Sequence, residues 1–121
     1  MNENEIRDAL QIYFDSNNES DESRMAEVFH DSAHLYQHGE DGNLLDWDKD
    51  FFMGIMASAK EAVAECTSPT INEIISIDFT SEKTAVARVK VNVLDVIYTD
   101  ILSFICIDGR WWIISKLAVK E

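Results

Sequence analysis

Residues 71–119 read INEIISIDFT SEKTAVARVK VNVLDVIYTD ILSFICIDGR WWIISKLAV, and this stretch decides the fold. From Ile71 to Phe79, apolar residues occupy odd positions (Ile71, Ile75, Ile77, Phe79), while Asn72, Ser76, Asp78 and Thr80 occupy even ones. A period of two is that of a half-buried strand. Ser81-Glu82-Lys83 is a polar break of hairpin length. Odd positions turn apolar again at Ala85, Ala87, Val89, Val91 and Val93. Ile101 to Ile107 is apolar on both sides, and Asp108-Gly109 is a hairpin signal. A last strand follows from Arg110. Short connections between successive strands require antiparallel neighbours.

Working outward, the 121 residues suit one domain, 1–121, that buries roughly two thirds of its unfolded surface. The net charge of −13 is uneven. Residues 1–65 hold 16 acids and 4 bases, whereas residues 66–121 hold 7 acids and 6 bases. Such a surface repels phosphate backbones, so no nucleic-acid partner is expected; solubility explains the acidity. No apolar run reaches the length of a membrane span, and no membrane partner is expected. The opening Met1-Asn2-Glu3-Asn4-Glu5 lacks the charged and apolar regions of a secretory signal, so a cytoplasmic protein is expected. In that compartment Cys66 and Cys106 read as free thiols.

Upstream of the strands the period lengthens. Ile6, Ala9, Leu10, Tyr13 and Phe14 form one helical stripe within Glu5 to Asp15. Ser20 or Asp21 can cap a second helix that buries Met25, Val28 and Phe29 and stops near Asp31. A short strand is expected from Ala33 to Gln37, a turn at Gly39 to Gly42, and a brief return strand at Leu44-Leu45. Asp46 is read as the N-cap of a third helix running from Trp47 to about Cys66, with Phe52, Ile55, Met56, Ala59, Val63 and Cys66 on its buried stripe. Segregated helices and antiparallel strands make an α+β domain. Val86, Val96, Trp112 and Ile114 give the sheet a second apolar face, which predicts a homodimer through the sheet with Trp112 and Ile114 in the interface.

Specific residues carry a resemblance. Phe29-His30-Asp31-Ser32-Ala33-His34-Leu35-Tyr36, then Tyr98-Thr99-Asp100, Leu102-Ser103, and Asp108-Gly109-Arg110-Trp111 with Ile113 and Lys116 resemble the NTF2-like superfamily, which includes ketosteroid isomerases and SnoaL-like polyketide cyclases. Within it the chain is most similar to the putative lumazine-binding group, and the element order matches over nearly the whole length. The resemblance implies a cone: a strongly curved mixed or antiparallel sheet around three N-terminal helices, a pocket at the open end, and dimerisation through the sheet. An isomerase of this type needs a carboxylate base and an oxyanion hole in which a tyrosine and a protonated acid donate hydrogen bonds. Tyr13 lies where the resemblance puts the tyrosine, and Asp100 is the acid nearest the partner position. The base position falls at about Gln37, which takes up no proton at neutral pH.

Asp100 and Tyr13 are therefore the candidate catalytic pair. Asp100 shares a strand face with Leu102, Phe104 and Cys106, where a carboxylate could donate or abstract a proton; the plainer reading is a strand-end acid that caps a backbone group or meets a lysine. Asp95 reads as a turn residue at Leu94-Asp95. Tyr36, Gln37, His34, Trp47, Phe51 and Phe104 are the candidate pocket residues, set against ordinary core packing for the aromatic ones and a solvent-facing position for His34. His30, His34 and His38 recur every four residues, but Gly39 and the extended pattern argue against one helix. Two histidines without a placed carboxylate make a poor metal site, so no metal and no cofactor is expected. Two functions fit: a small-molecule-binding protein with an apolar pocket for a hydrophobic or aromatic ligand, moving a proton if it is an enzyme, or a non-catalytic dimeric scaffold with a filled pocket.

Overall fold

A computed structural model describes residues 2–121. The elements run α1 (Glu3–Glu19), α2 (Glu22–Met25), β1 (Phe29–His38), β2 (Leu44–Asp48), α3 (Lys49–Glu65), β3 (Asn72–Ser81), β4 (Thr84–Val93), β5 (Val96–Ile107) and β6 (Arg110–Lys120). The strands form one sheet in the order β2-β1-β6-β5-β4-β3. Neighbours are antiparallel except β1 and β6, which run parallel. This is the expected α+β architecture with a mixed sheet, its helices packed on one face.

Local chemistry sets the element ends. Asn2 caps α1 by accepting from the Asn4 amide, and Ser20 closes it in the left-handed region at φ 52°. The five apolar residues read as one stripe, Ile6 to Phe14, are all buried. They meet the inner face of β4, where Ala85, Ala87, Val89 and Val91 are buried as their alternation predicts. Asp21 caps α2, but that helix is a single turn. Phe29, expected in the helix, begins β1 opposite Ile113 of β6 instead. The Ile113 amide donates to Val28 O at 2.8 Å, so pairing with β6 takes the chain out of the helix. Spacing cannot separate these outcomes, because Met25 and Val28 suit one helical turn and a turn into a strand equally.

The Asp46 cap is also corrected. Asp46 and Trp47 belong to β2, which pairs with β1 from His38↔Leu44 to His34↔Asp48. Leu45 and Trp47 alternate with the more exposed Leu44, Asp46 and Asp48, the period of a strand. Asp48 caps α3, accepting from the Phe51 amide at 2.9 Å. Of the six residues read as the buried stripe of α3, only Phe52 and Met56 are buried, and Ile55 is 37 % exposed. Ile55, Ala59 and Val63 line a cavity instead, and Cys66 lies just past the helix end.

The register shifts in β1, β3 and β6, and the shifts at Ile75 of β3 and Ile114 of β6 set which side chains face inward. In β3 the register slips between Ile74 and Ser76, so Ile74 joins Ile77 and Phe79 on the inner face and Ile75 is left exposed. In β6 it slips between Ile113 and Ser115, leaving Ile114 as the extra residue. An extra residue bends its strand and reverses which side chains point inward beyond it.

Candidate functional site

Tyr13 projects from the buried stripe of α1 toward the sheet. Asp100 is on the inner face of β5, between Val89 of β4 and Ala118 of β6. The Tyr13 hydroxyl donates to Asp100 Oδ2 at 2.5 Å, with both side chains buried. The residues nominated as a catalytic pair are thus in direct contact, 87 positions apart in sequence. Burial, then the negative charge of Asp100, then the hydrogen bond to it hold the Tyr13 hydroxyl well above the ordinary tyrosine range. Tyr13 therefore keeps its proton and acts as a fixed donor.

A third group completes the cluster. Lys116 Nζ lies 3.6 Å from the same Asp100 Oδ2, and both side chains are almost wholly buried. That distance is an ion pair but too long for a hydrogen bond, so the ammonium retains donors for a ligand. Its charge also lies 5.2 Å from the Tyr13 ring centre and 4.8 Å from that of Phe52. Aromatic faces within about 6 Å attract a cation, most strongly where water is excluded. The remaining carboxylate oxygen, Asp100 Oδ1, is buried and has no hydrogen-bond partner among the described residues. A buried acceptor without a donor is costly, so such an oxygen takes up a donor from an ordered water or a ligand.

Above the cluster is a cavity of about 190 Å³. Its polar lining is Asp100, Lys116, Gln37 and Tyr98 from the sheet, with Asn17 and Ser20 from the end of α1. Its apolar wall is Leu35, Trp47, Val93 and Ala118 opposite Phe52, Ile55, Met56, Ala59 and Val63 of α3. A cavity of about 150 Å³ takes up benzene, so there is room here for one substituted ring. Single-turn spacing on α3 and alternation on the strands bring these residues to one space, and the small Ala59 and Ala118 leave it open.

The nominated pocket residues divide. Gln37 and Trp47 line the cavity. Tyr13 does not line it; it touches the cavity only through Asp100. His34 and Tyr36 are corrected: on β1 they alternate with the inward Leu35 and Gln37, so they point to the opposite face. There their rings stack at 5.9 Å, and His34 Nδ1 meets Asp46 at 2.6 Å. Phe51 is corrected too. It is 53 % exposed beside Trp47, because its position on α3 is one residue away from the inward Phe52. Phe104 is core, paired with Ile113 below the cavity floor. Trp112 is on the outer sheet face, stacked under the Arg110 guanidinium at 4.0 Å and edge-on to His30, and Ile114 is the half-buried bulge residue. Among the described residues, no three of His, Cys, Asp and Glu come together as metal ligands.

Lys116 and Tyr98 were missed as site residues. Tyr98 shares the inward face of Asp100, a signal that alternation did carry. For Lys116 the signal pointed the wrong way: continuing the alternation from Ile113 places Ser115 and Leu117 inside, and only the Ile114 bulge turns Lys116 and Ala118 inward.

The family model described as "Putative lumazine-binding" matches residues 1–117. No curated protein matches the sequence. Among solved structures, an NTF2-like protein of unknown function from Shewanella baltica superposes with a TM-score of 0.86 at 17 % identity, over 98 % of this chain and 92 % of that one. One from Silicibacter pomeroyi gives 0.84 at 20 % identity, over 97 % and 93 %. A ketosteroid isomerase-like protein from Erwinia carotovora gives 0.72 at 19 % identity, over 96 % and 93 %. At these identities the likeness establishes the NTF2-like fold and nothing about chemistry.

Proposed function

The chain belongs to the putative lumazine-binding family of the NTF2-like superfamily, and on that footing we propose that it binds a small, largely apolar molecule in the cavity and moves a proton on it. The observation that carries this reading is Asp100, a buried carboxylate that lines a mainly apolar chamber and whose Oδ1 has no hydrogen-bond partner among the described residues. A ligand donor satisfies it. So does a proton taken from a carbon beside a carbonyl.

In that reaction the C–H bond breaks and its electron pair moves into the carbonyl, leaving charge on the oxygen. The proton passes to Asp100 Oδ1. Lys116 holds the oxygen, since a fixed cation in a dry site stabilises developing negative charge more than water does. Tyr13 keeps Oδ2 occupied and so orients Oδ1 toward the ligand. Return of the proton to the same or a neighbouring carbon gives racemisation or isomerisation. Gln37, at the position where related isomerases carry their base, contributes an amide for hydrogen bonding only.

The scaffold reading expects side chains to fill the pocket, and a 190 Å³ space speaks against it. The test is hydrogen–deuterium exchange followed by NMR, using single-ring ketones and cyclic amides in D₂O. Exchange beside the carbonyl is expected with the native protein and not with Asp100→Asn. Equal exchange with both proteins, or no ligand-induced rise in melting temperature across the panel, rejects the proposal.

A further inference from the structure

A second space adjoins the first. About 820 Å³ in volume, it shares Gln37, Tyr98 and Ala118 with the inner chamber, so only these side chains stand between the two at that point. The sheet itself makes the opening. β1 pairs with β6 only as far as Tyr36↔Leu117, yet β6 continues to Lys120. Past Leu117, β6 has no neighbour on that side, and the outer space occupies the gap.

Its lining is chemically distinct from the inner end. Leu45, Leu117 and Val119 form an apolar track, with Leu117 45 % and Val119 46 % exposed. Charge is confined to the rim at Glu40 and Lys120. The Ile114 bulge produces both halves at once: it turns Lys116 and Ala118 into the chamber and Leu117 and Val119 toward the outer space.

We propose that chamber and outer space are one two-part site for an elongated molecule. Its compact head carries an N–H or O–H beside a carbonyl, meeting Asp100 Oδ1 and Lys116. Its saturated tail leaves between Gln37 and Tyr98 and lies along Leu45, Leu117 and Val119. This inference rests on the chamber being a ligand site, as proposed above. The head is neutral overall, because Asp100 and Lys116 already balance each other's charge. From Lys116 to Val119 the strand advances on the order of 10 Å at about 3.3 Å per residue, the reach of a medium-length alkyl chain.

The test uses 5-alkyl-2-pyrrolidinones, whose ring supplies N–H beside C=O, with tails from methyl to octyl, titrated calorimetrically. Dissociation constants are expected to fall two- to fourfold per added methylene, the upper figure being full burial of the group. The fall should end once the tail passes Val119. Leu117→Asp should weaken binding by a factor that grows with tail length, whereas Asp100→Asn should weaken every member alike. Leu117 is exposed, so its variant is expected to fold, as circular dichroism will verify. If the methyl compound binds through Asp100 and tail length changes nothing, the two-part site is overturned and the chamber reading stands. If no member binds, both fall. If Leu117→Asp splits a dimer without altering any tail dependence, the outer space is a subunit contact, and the two-part site is again overturned.

Discussion

Replacing Lys116 with methionine tests whether the ion pair organises the site. The substitution keeps most of the side-chain volume and removes the charge. It leaves Asp100, 1 % exposed, with one oxygen held by Tyr13 and the other orphaned. Breaking a buried pair from one side typically costs about 3–5 kcal/mol, because the remaining charge is uncompensated. The lower end applies here, since Tyr13 still donates and the 3.6 Å separation is not a hydrogen bond. A chain of 121 residues shifts its melting point by about 4 °C per kcal/mol, so a fall of about 12 °C is expected. Asp100→Asn combined with Lys116→Met removes both charges and keeps an acceptor for Tyr13. That double variant should recover about 2 kcal/mol, a coupling energy of the size that contacting groups show. Urea titrations with a common slope, alongside calorimetric melting, provide the measurement. A single variant within about 1 kcal/mol of the native protein, or a double variant equal to the sum of the singles, would mean that Lys116 does not hold Asp100, and the proposed oxygen-binding role would fall with it.

Three further perturbations address neighbouring parts of the argument. The Tyr13 pKa is raised in the folded state, so its stabilisation is complete below the unfolded value near 10 and drains as pH rises past it, by at most about 1.4 kcal/mol per pH unit. Tyr13→Phe should lose this alkaline dependence and be about 1–2 kcal/mol less stable at pH 7, read from urea midpoints between pH 7 and 11; parallel pH profiles for the two proteins would contradict the buried-hydroxyl account. Ala59→Leu pushes a side chain into the cavity from α3, and should abolish ligand-induced stabilisation while changing the melting point of the free protein little; retained binding would place the ligand elsewhere. Trp112→Glu introduces charge on the outer sheet face, and should convert a sedimenting dimer into monomer; native protein that is monomeric at micromolar concentration removes the interface proposal.

Where one physical constraint governs a residue, the sequence was readable. Ile6 to Phe14 and Ala85 to Val91 each bury one face against packed atoms, so their periods survive in the structure. Tyr13 and Asp100 were legible as inward-facing groups for the same reason. Legibility failed where tertiary pairing overrode a local rule. Phe29 left its helix for a bond network with β6, and Asp46 lost its cap role because pairing with β1 carries β2 three residues past Leu45, to Asp48. His34 and Tyr36 stand beside Gln37 among the pocket candidates although adjacent strand residues face opposite ways; the alternation of β1 is legible, but which phase faces inward depends on which neighbour it covers. The α3 stripe appeared to be core because a face lining a cavity and a face lining a core have the same composition. Lys116 was hidden by a bulge, which adds one residue and leaves no compositional trace.

That bulge explains why the site belongs to the fold rather than to chance. A lysine after Ile113 in strict alternation would have Ser115 and Leu117 as inward neighbours, and Lys116 itself would point outward. The extra residue at Ile114 instead directs a charged side chain into a space whose other walls are mainly apolar. Desolvating an ammonium and a carboxylate opposes folding, and a hydrophobic pair of similar volume would commonly be neutral or more stable by about 1–4 kcal/mol. A pocket retained only as packing would relax toward that apolar solution. Instead, Asp100 accepts from Tyr13 and pairs with Lys116, and the Lys116 ammonium lies near the Tyr13 and Phe52 rings beside the cavity. Three elements distant in sequence, α1, β5 and β6, bring Tyr13, Asp100 and Lys116 together beside the cavity, an arrangement that opposes stability and that the proposed ligand contact would offset.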